Sequence, residues 1–169
     1  MLSRHFVGHA ETYKTQLKAV DAGWLEMQIF PQGCISLLLQ AQARRGEYSI
    51  TLPGLHAGTF IDPRVGRGTP LAPPATKQYV AVDDGTGEFT YSLPPVTVAM
   101  FSAPAADASG NIYNRGAAVQ SEMVEIAMAA RRNRGLVIAL VGSIVHAGCV
   151  SVTQLVYRGM AWPAGCVRM

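Results

Sequence analysis

The sequence predicts an α/β fold: a mostly parallel central sheet covered by helices on both faces, with an inserted β-hairpin. Three observations predict it. Residues 25–30 alternate apolar with polar side chains, and beyond Pro31-Gln32-Gly33 the positions Ile35, Leu38, Leu39 and Gln42 recur at helical spacing. Residues 96–101 and 136–141 are near-continuous apolar runs of strand length, the pattern of strands buried in a parallel sheet. Between those runs Val119, Met123, Ile126, Ala127 and Ala130 mark one face of a helix. Strands alternating with helices imply such a sheet.

The elements follow in order. The strand at 25–30 ends at Pro31-Gln32-Gly33, and the helix after it runs to Arg44-Arg45 with Gly46 as its stop. Residues 53–75 are loop-dominated, with Leu71-Ala72-Pro73-Pro74 as a stiff exit. Residues 77–82 and 88–93 flank Asp83-Asp84-Gly85-Thr86-Gly87 and read as a hairpin. The strand at 96–101 leads to a turn at 107–111, inside a predicted loop at 103–111. The next helix ends at Gly135, and 136–141 is the following strand. A last strand fits 150–157, and 158–169 shows no pattern. In such sheets ligands bind beyond the carboxyl ends of the strands, where the 31–33 and 103–111 loops would sit.

Composition narrows the function classes. The 169 residues form one domain able to bury a sizeable core, 49% apolar and 15% charged. The net charge of +3 is scattered. Its densest group, Arg131, Arg132 and Arg134, suits a helix C-terminus, so neither nucleic acid nor membrane is an expected partner. The run at 136–145 is interrupted by Gly142 and Ser143 and falls short of the roughly 20 residues a membrane span needs. Cys34, Cys149 and Cys166 match neither a disulfide framework nor a metal site, and the expected compartment is the cytoplasm. Cys34 could be an activated thiol at a helix start, but a small buried residue is the preferred reading.

The richest stretch is Pro53-Gly54-Leu55-His56-Ala57-Gly58-Thr59-Phe60-Ile61-Asp62-Pro63-Arg64-Val65-Gly66-Arg67-Gly68. Glycine lets main-chain N–H groups approach a ligand, and proline fixes the loop around them. His56 could serve as a general base or a phosphate contact, though a plain loop histidine is preferred. An ion pair between Asp62 and Arg64 bracing the loop is preferred to ligand contact. His5, His9 and His146 read as surface or core residues. Gln32, between proline and glycine at a strand's end, offers a donor and an acceptor that can orient a carboxylate or an oxyanion. No nucleophile elbow, P-loop or dinucleotide fingerprint is present.

Phe30-Pro31-Gln32-Gly33, then Gly58-Thr59-Phe60-Ile61-Asp62-Pro63-Arg64 with Gly66 and Gly68, then Ala106-Asp107-Ala108-Ser109-Gly110-Asn111, resemble the α half of the family I coenzyme A transferases. The likeness covers roughly residues 8–148 and leans toward the branch acting on short-chain acyl groups. It implies a single α-like domain over 1–169, incomplete at its front and atypical after about 149. It also implies exchange of CoA between acyl groups through a glutamyl-CoA intermediate, with a CoA thioester as substrate and neither cofactor nor metal bound. Gln32 would assist catalysis; Gly33, Gly58, Thr59, Phe60, Gly66 and Gly68 would line the substrate and CoA pocket.

The pattern departs in three places. The family's glutamate stands in a Glu-x-Gly setting of the β half, and none of Glu11, Glu26, Glu47, Glu88, Glu122 or Glu125 stands so. A β subunit or half is therefore the implied partner, in a homo- or hetero-oligomer. The chain reads as opening inside a helix, without the family's front strand, which would leave a sheet edge open for self-association. The tail after Gly148 departs from the family's expected closing strand and proline-glycine turn. Two other readings remain: a non-catalytic remnant, and an acyl-carrier-protein transferase subunit of malonate decarboxylase type.

Overall fold

The computed structural model describes residues 3–72, 75, 77–114 and 121–149, with the backbone of 155–157 and 165–168. Pro73, Pro74, Val119 and residues 150–154, to which sequence readings were attached, lie outside the described residues. The fold is α/β, with parallel and mixed sheets. The chain divides into two compact units, Met1–Leu38 with Glu47–Pro94, and Leu39–Gly46 with Pro95–Met169.

In the first unit, β1 (Arg4–Val7), α1 (Lys14–Asp21) and β2 (Glu26–Ile29) form a βαβ unit, with Arg4 opposite Glu26 and Val7 opposite Ile29 in parallel register. The reading that opens the chain inside a helix is corrected here. Arg4-His5-Phe6-Val7 is too short and too basic to announce a strand, and its stability comes from a neighbour distant in sequence. Arg4 Nη2 pairs with Glu26 Oε2 at 2.7 Å, Arg4 Nη1 donates to the Tyr79 hydroxyl at 2.7 Å, and Val7 is buried with Val20, Leu25 and Met27. Helix α1 ends in a Schellman motif: Gly23, at φ 74°, donates to Val20 O, and Trp24 donates to Ala19 O.

The rest of this unit is a three-stranded antiparallel sheet ordered β3 (Ser49–Leu52), β5 (Phe89–Ser92), β4 (Val80–Val82). The β4–β5 hairpin is as predicted, its turn held by Asp83 Oδ1 accepting from the Gly85 and Thr86 amides at 2.8 Å. Strand β3 has no counterpart in the sequence reading, because Ser49-Ile50-Thr51-Leu52 is short and buries no residue completely. The core joins Phe30, Cys34, Leu38, Ile61, Tyr79, Val80, Phe89 and Tyr91. Full burial of Phe30, Ile61 and Phe89 stabilises by roughly 2 kcal/mol per side chain.

The second unit holds a five-stranded sheet ordered β10 (Gly165–Arg168), β8 (Leu136–Val145), β6 (Val98–Asp107), β7 (Ile112–Tyr113), β9 (Leu155–Tyr157). Strands β10, β8 and β6 are parallel, while β7 and β9 add in antiparallel fashion. Helix α3 (Met123–Arg132) packs Ala127 and Ala130 on Ala99 and Val137. Small residues on both sides allow that close approach. Helix α2 (Gln32–Arg45) belongs to this unit by its last turns, where Arg132 donates to the carbonyls of Arg44 and Arg45. A cation there satisfies orphan carbonyls and complements the helix dipole.

Strand β6 corrects a second expectation. It continues through Ser102-Ala103-Pro104-Ala105-Ala106 to Asp107, so the predicted 103–111 loop shrinks to Ala108-Ser109-Gly110-Asn111. Proline usually ends a strand because it lacks a donor. Here the ladder to β8 resumes at Ala105–Ser143, and Ala106 and Asp107 are buried.

Candidate functional site

Gln32 heads α2. Strand β2 stops at Ile29, and Pro31 O accepts from the Cys34 amide at 2.9 Å, so the helix begins immediately after the proline. Proline's fixed φ suits such a start. The expected 31–33 loop therefore narrows to the strand–helix junction, and Gln32 and Gly33 are helical. Both are exposed, and nothing lies within 4 Å of the position a Gly33 Cβ would take. Among the described residues the Gln32 amide has no hydrogen-bond partner, so it is available to a ligand.

Cys34, the third residue of α2, is buried in one cluster with Phe30 and Ile61, and burial pushes its thiol up to about 11. It is inert rather than activated. In the folded chain at pH 8, iodoacetamide is expected to modify exposed Cys149 at least about 10-fold faster than Cys34, because only the thiolate reacts. Peptide mass spectrometry checks this, and equal rates would contradict the buried assignment.

The 53–68 loop is built around one carboxylate. Asp62 is 1% exposed and accepts from the Gly58 amide at 3.0 Å, the Arg64 amide at 3.0 Å, Arg64 Nε at 2.9 Å and Arg64 Nη2 at 2.8 Å. The Arg64 guanidinium, against the opposing effect of burial and helped by both amides, holds Asp62 well below the usual carboxylate range. The bracing ion pair expected from sequence is present. Ile61 anchors the loop in the core, while Leu55, Phe60 and Val65 are exposed. Gly66 is required by space, since a Cβ there would lie 2.6 Å from the Phe60 Cα.

The loop also closes on itself. Thr59 Oγ1 donates to His56 O at 2.7 Å, and Gly68 donates to Phe60 O at 3.1 Å. Gln78 spans Arg67 O and the Thr69 amide. Thr59 hydroxyl and Gly58 amide are thus both engaged inside the loop; the open space beside the Gly58 Cα is what it offers outward.

His56 is oriented by a tyrosine, not a carboxylate. Its Nδ1 lies 2.8 Å from the hydroxyl of Tyr91, and its ring meets Phe89 and Tyr91 edge-on. Burial, reinforced by Cys34 and Asp62, raises the Tyr91 pKa. The phenol can give its hydrogen to Nδ1 or accept one from it, according to the tautomer of the ring. His56 ties the loop to β5.

The loop's exit runs along β2. Ile29 donates to Thr69 O at 2.8 Å, Leu71 donates to Met27 O at 3.0 Å, and Gln28 faces Pro70 in an antiparallel bridge. Gln32, Gly33 and the segment carrying Gly58, Thr59, Phe60, Gly66 and Gly68 are thereby fixed to one strand. Sequence patterns gave no sign of this pairing, because Thr69-Pro70-Leu71 has no strand periodicity.

The turn after β6 belongs to the second unit. Asp107 Oδ1 accepts from the Ser109 and Asn111 amides, and Oδ2 accepts from Asn111 Nδ2 and the Tyr113 hydroxyl. Burial alone would raise the Asp107 pKa; the bonds from Asn111, Tyr113 and Ser109 outweigh it, and the carboxyl sits below its ordinary value. Among the described residues no cluster of side chains could hold a metal, and no helix is long and apolar enough to cross a membrane.

No family model and no curated protein matches the chain. Solved structures do. The acyl-CoA transferase YdiF of E. coli O157:H7, in a thioester complex with CoA, superposes with a TM-score of 0.84 at 20% identity, over 96% of this chain and 33% of that one. Its apoenzyme gives 0.82 at 20% identity, over 96% and 31%. Glutaconate coenzyme A-transferase from Acidaminococcus fermentans gives 0.64 at 21% identity, over 90% and 49%. The chain spans about a third of the length of the acyl-CoA transferase structures it matches. At these identities the likeness is one of fold, and the fold of this chain is that of the coenzyme A-transferases.

Proposed function

We propose that this chain is the α-like part of an acyl-CoA:carboxylate CoA-transferase acting on short-chain acyl groups, working with a β partner that supplies a glutamate. The observation that carries the reading is the exposed Gln32 amide at the β2–α2 junction, on a chain whose fold is that of CoA-transferases. The braced loop pinned to the same strand supports it.

The partner's glutamate carboxylate attacks the thioester carbonyl and expels CoA thiolate, leaving an acyl-glutamyl anhydride. The thiolate attacks the glutamyl carbonyl, releasing the first carboxylate and forming glutamyl-CoA. The incoming carboxylate reverses the sequence, and CoA leaves on the new acyl group. Splitting the exchange in this way is covalent catalysis. Gln32 donates its amide hydrogen to the carbonyl oxygen on which charge develops and takes no proton itself. Gly33, Gly58, Thr59, Phe60, Gly66 and Gly68 form the wall of the acyl and CoA pocket, with open space at Gly33 and Gly58.

The test is acetate-dependent CoA exchange by the full chain with and without a β partner carrying the Glu-x-Gly motif. Exchange is expected only in the complex, and Gln32→Ala is expected to lower kcat by about 100-fold, the scale of losing one oxyanion donor. An unchanged rate in the variant would remove Gln32 from the mechanism. Absence of exchange with every β partner would favour the non-catalytic reading, which the lack of a Glu-x-Gly glutamate in this chain supports.

A further inference from the structure

Gly8 follows β1 and faces the first residue of α2. A Cβ built on Gly8 would collide with Gln32 Oε1 and would lie 3.0 Å from Gln32 Cδ and 3.2 Å from Gln32 Cβ. Backbone conformation does not demand glycine here, because Gly8 is not among the glycines with positive φ. No main-chain atom is among its three nearest neighbours either, in contrast to Gly66 and Gly135. The three atoms nearest to where a side chain at position 8 would begin all belong to Gln32.

We propose that Gly8 is a positioning residue whose missing side chain is the seat for the Gln32 amide. The inference rests on the reading of Gln32 as the amide that orients the reacting carbonyl. Gln32 is exposed, and its amide has no hydrogen-bond partner among the described residues, so contact with the bare Cα of Gly8 is what fixes it. The overlapping atom, Oε1, is the far end of a flexible side chain, whereas the Gln32 Cβ need give by only a few tenths of an ångström. A methyl group at position 8 therefore displaces the amide and leaves β1 and α2 where they are. A displacement of about 1 Å at a catalytic group is enough to slow a reaction by up to 100-fold.

Two measurements test this. In the full chain, the Gln32 side-chain amide resonances are expected to move in Gly8→Ala, while the melting temperature changes by less than about 2 °C, a shift below 1 kcal/mol for a chain of this size. In the complex with a β partner, Gly8→Ala is expected to lower kcat about 10-fold with KM little changed, and to cost nothing further in a Gln32→Ala background. Unmoved amide resonances, or an equal loss in both backgrounds, would overturn the proposal. If Gly8→Ala unfolds the chain, adding Gln32→Ser, which removes the overlapping Oε1 and Cδ, restores the fold; failure to do so overturns the proposal as well. A Gln32→Ala variant with full activity defeats the functional reading of Gln32 instead, and the amide resonances still decide whether Gly8 seats it.

Discussion

Asp62→Ala is expected to lower the melting temperature of the chain by on the order of 10 °C and to open residues 57–66 to limited proteolysis. The side chain is an internal acceptor for two loop amides and both faces of the Arg64 fork. Alanine leaves those two amides without an acceptor, while Arg64, partly exposed, turns to solvent. Ile61 then loses the braced backbone that carries it into the core. Asp62→Asn keeps the shape and is expected to cost less. The pH dependence has a fixed sign. The folded carboxylate titrates below its unfolded value, so its stabilisation is complete above about pH 4 and is lost as pH falls toward the folded pKa. Thermal unfolding followed by circular dichroism should show the wild type losing more stability below about pH 4 than Asp62→Asn. Equal acid sensitivity would mean that the carboxylate does not brace the loop.

Asp107→Ala is expected to destabilise the chain by on the order of 3 kcal/mol, read as a lower urea midpoint with unchanged slope. The buried carboxylate closes the turn between β6 and β7, and among the described residues amides and a hydroxyl, not a cation, compensate its charge. Removing it takes the acceptor from the Ser109 and Asn111 amides and from the Tyr113 hydroxyl at the point where β6 hands over to its antiparallel neighbour. Asp107→Asn retains one acceptor atom but sets its NH2 against the donors that Oδ2 served, so its cost should be intermediate. A wild-type midpoint in the alanine variant would show that the turn is held by β7 pairing alone.

Much of this architecture was legible because it rests on local patterns. Alternation marked β2, apolar runs marked β6 and β8, the Asp83–Gly87 turn marked the hairpin, and residues two apart in sequence announced the Asp62–Arg64 pair. What escaped is held by partners distant in sequence. Strand β1 depends on Glu26 and Tyr79, β3 depends on β5, and the continuation of β6 past Pro104 depends on β8. Gln32 was legible as a residue type in a telling position. Its seat on Gly8 was not, since the two lie on opposite sides of α1 in sequence.

The pairing of Thr69-Pro70-Leu71 with β2 constrains how this chain can change over time. Two short segments, each attached to the same strand by register-specific bonds, cannot drift independently in length. An inserted residue at 69–71 would slide the whole braced loop relative to Gln32. Residues 27–29 and 69–71 therefore hold one register, and variation in chain length should fall outside those two paired segments.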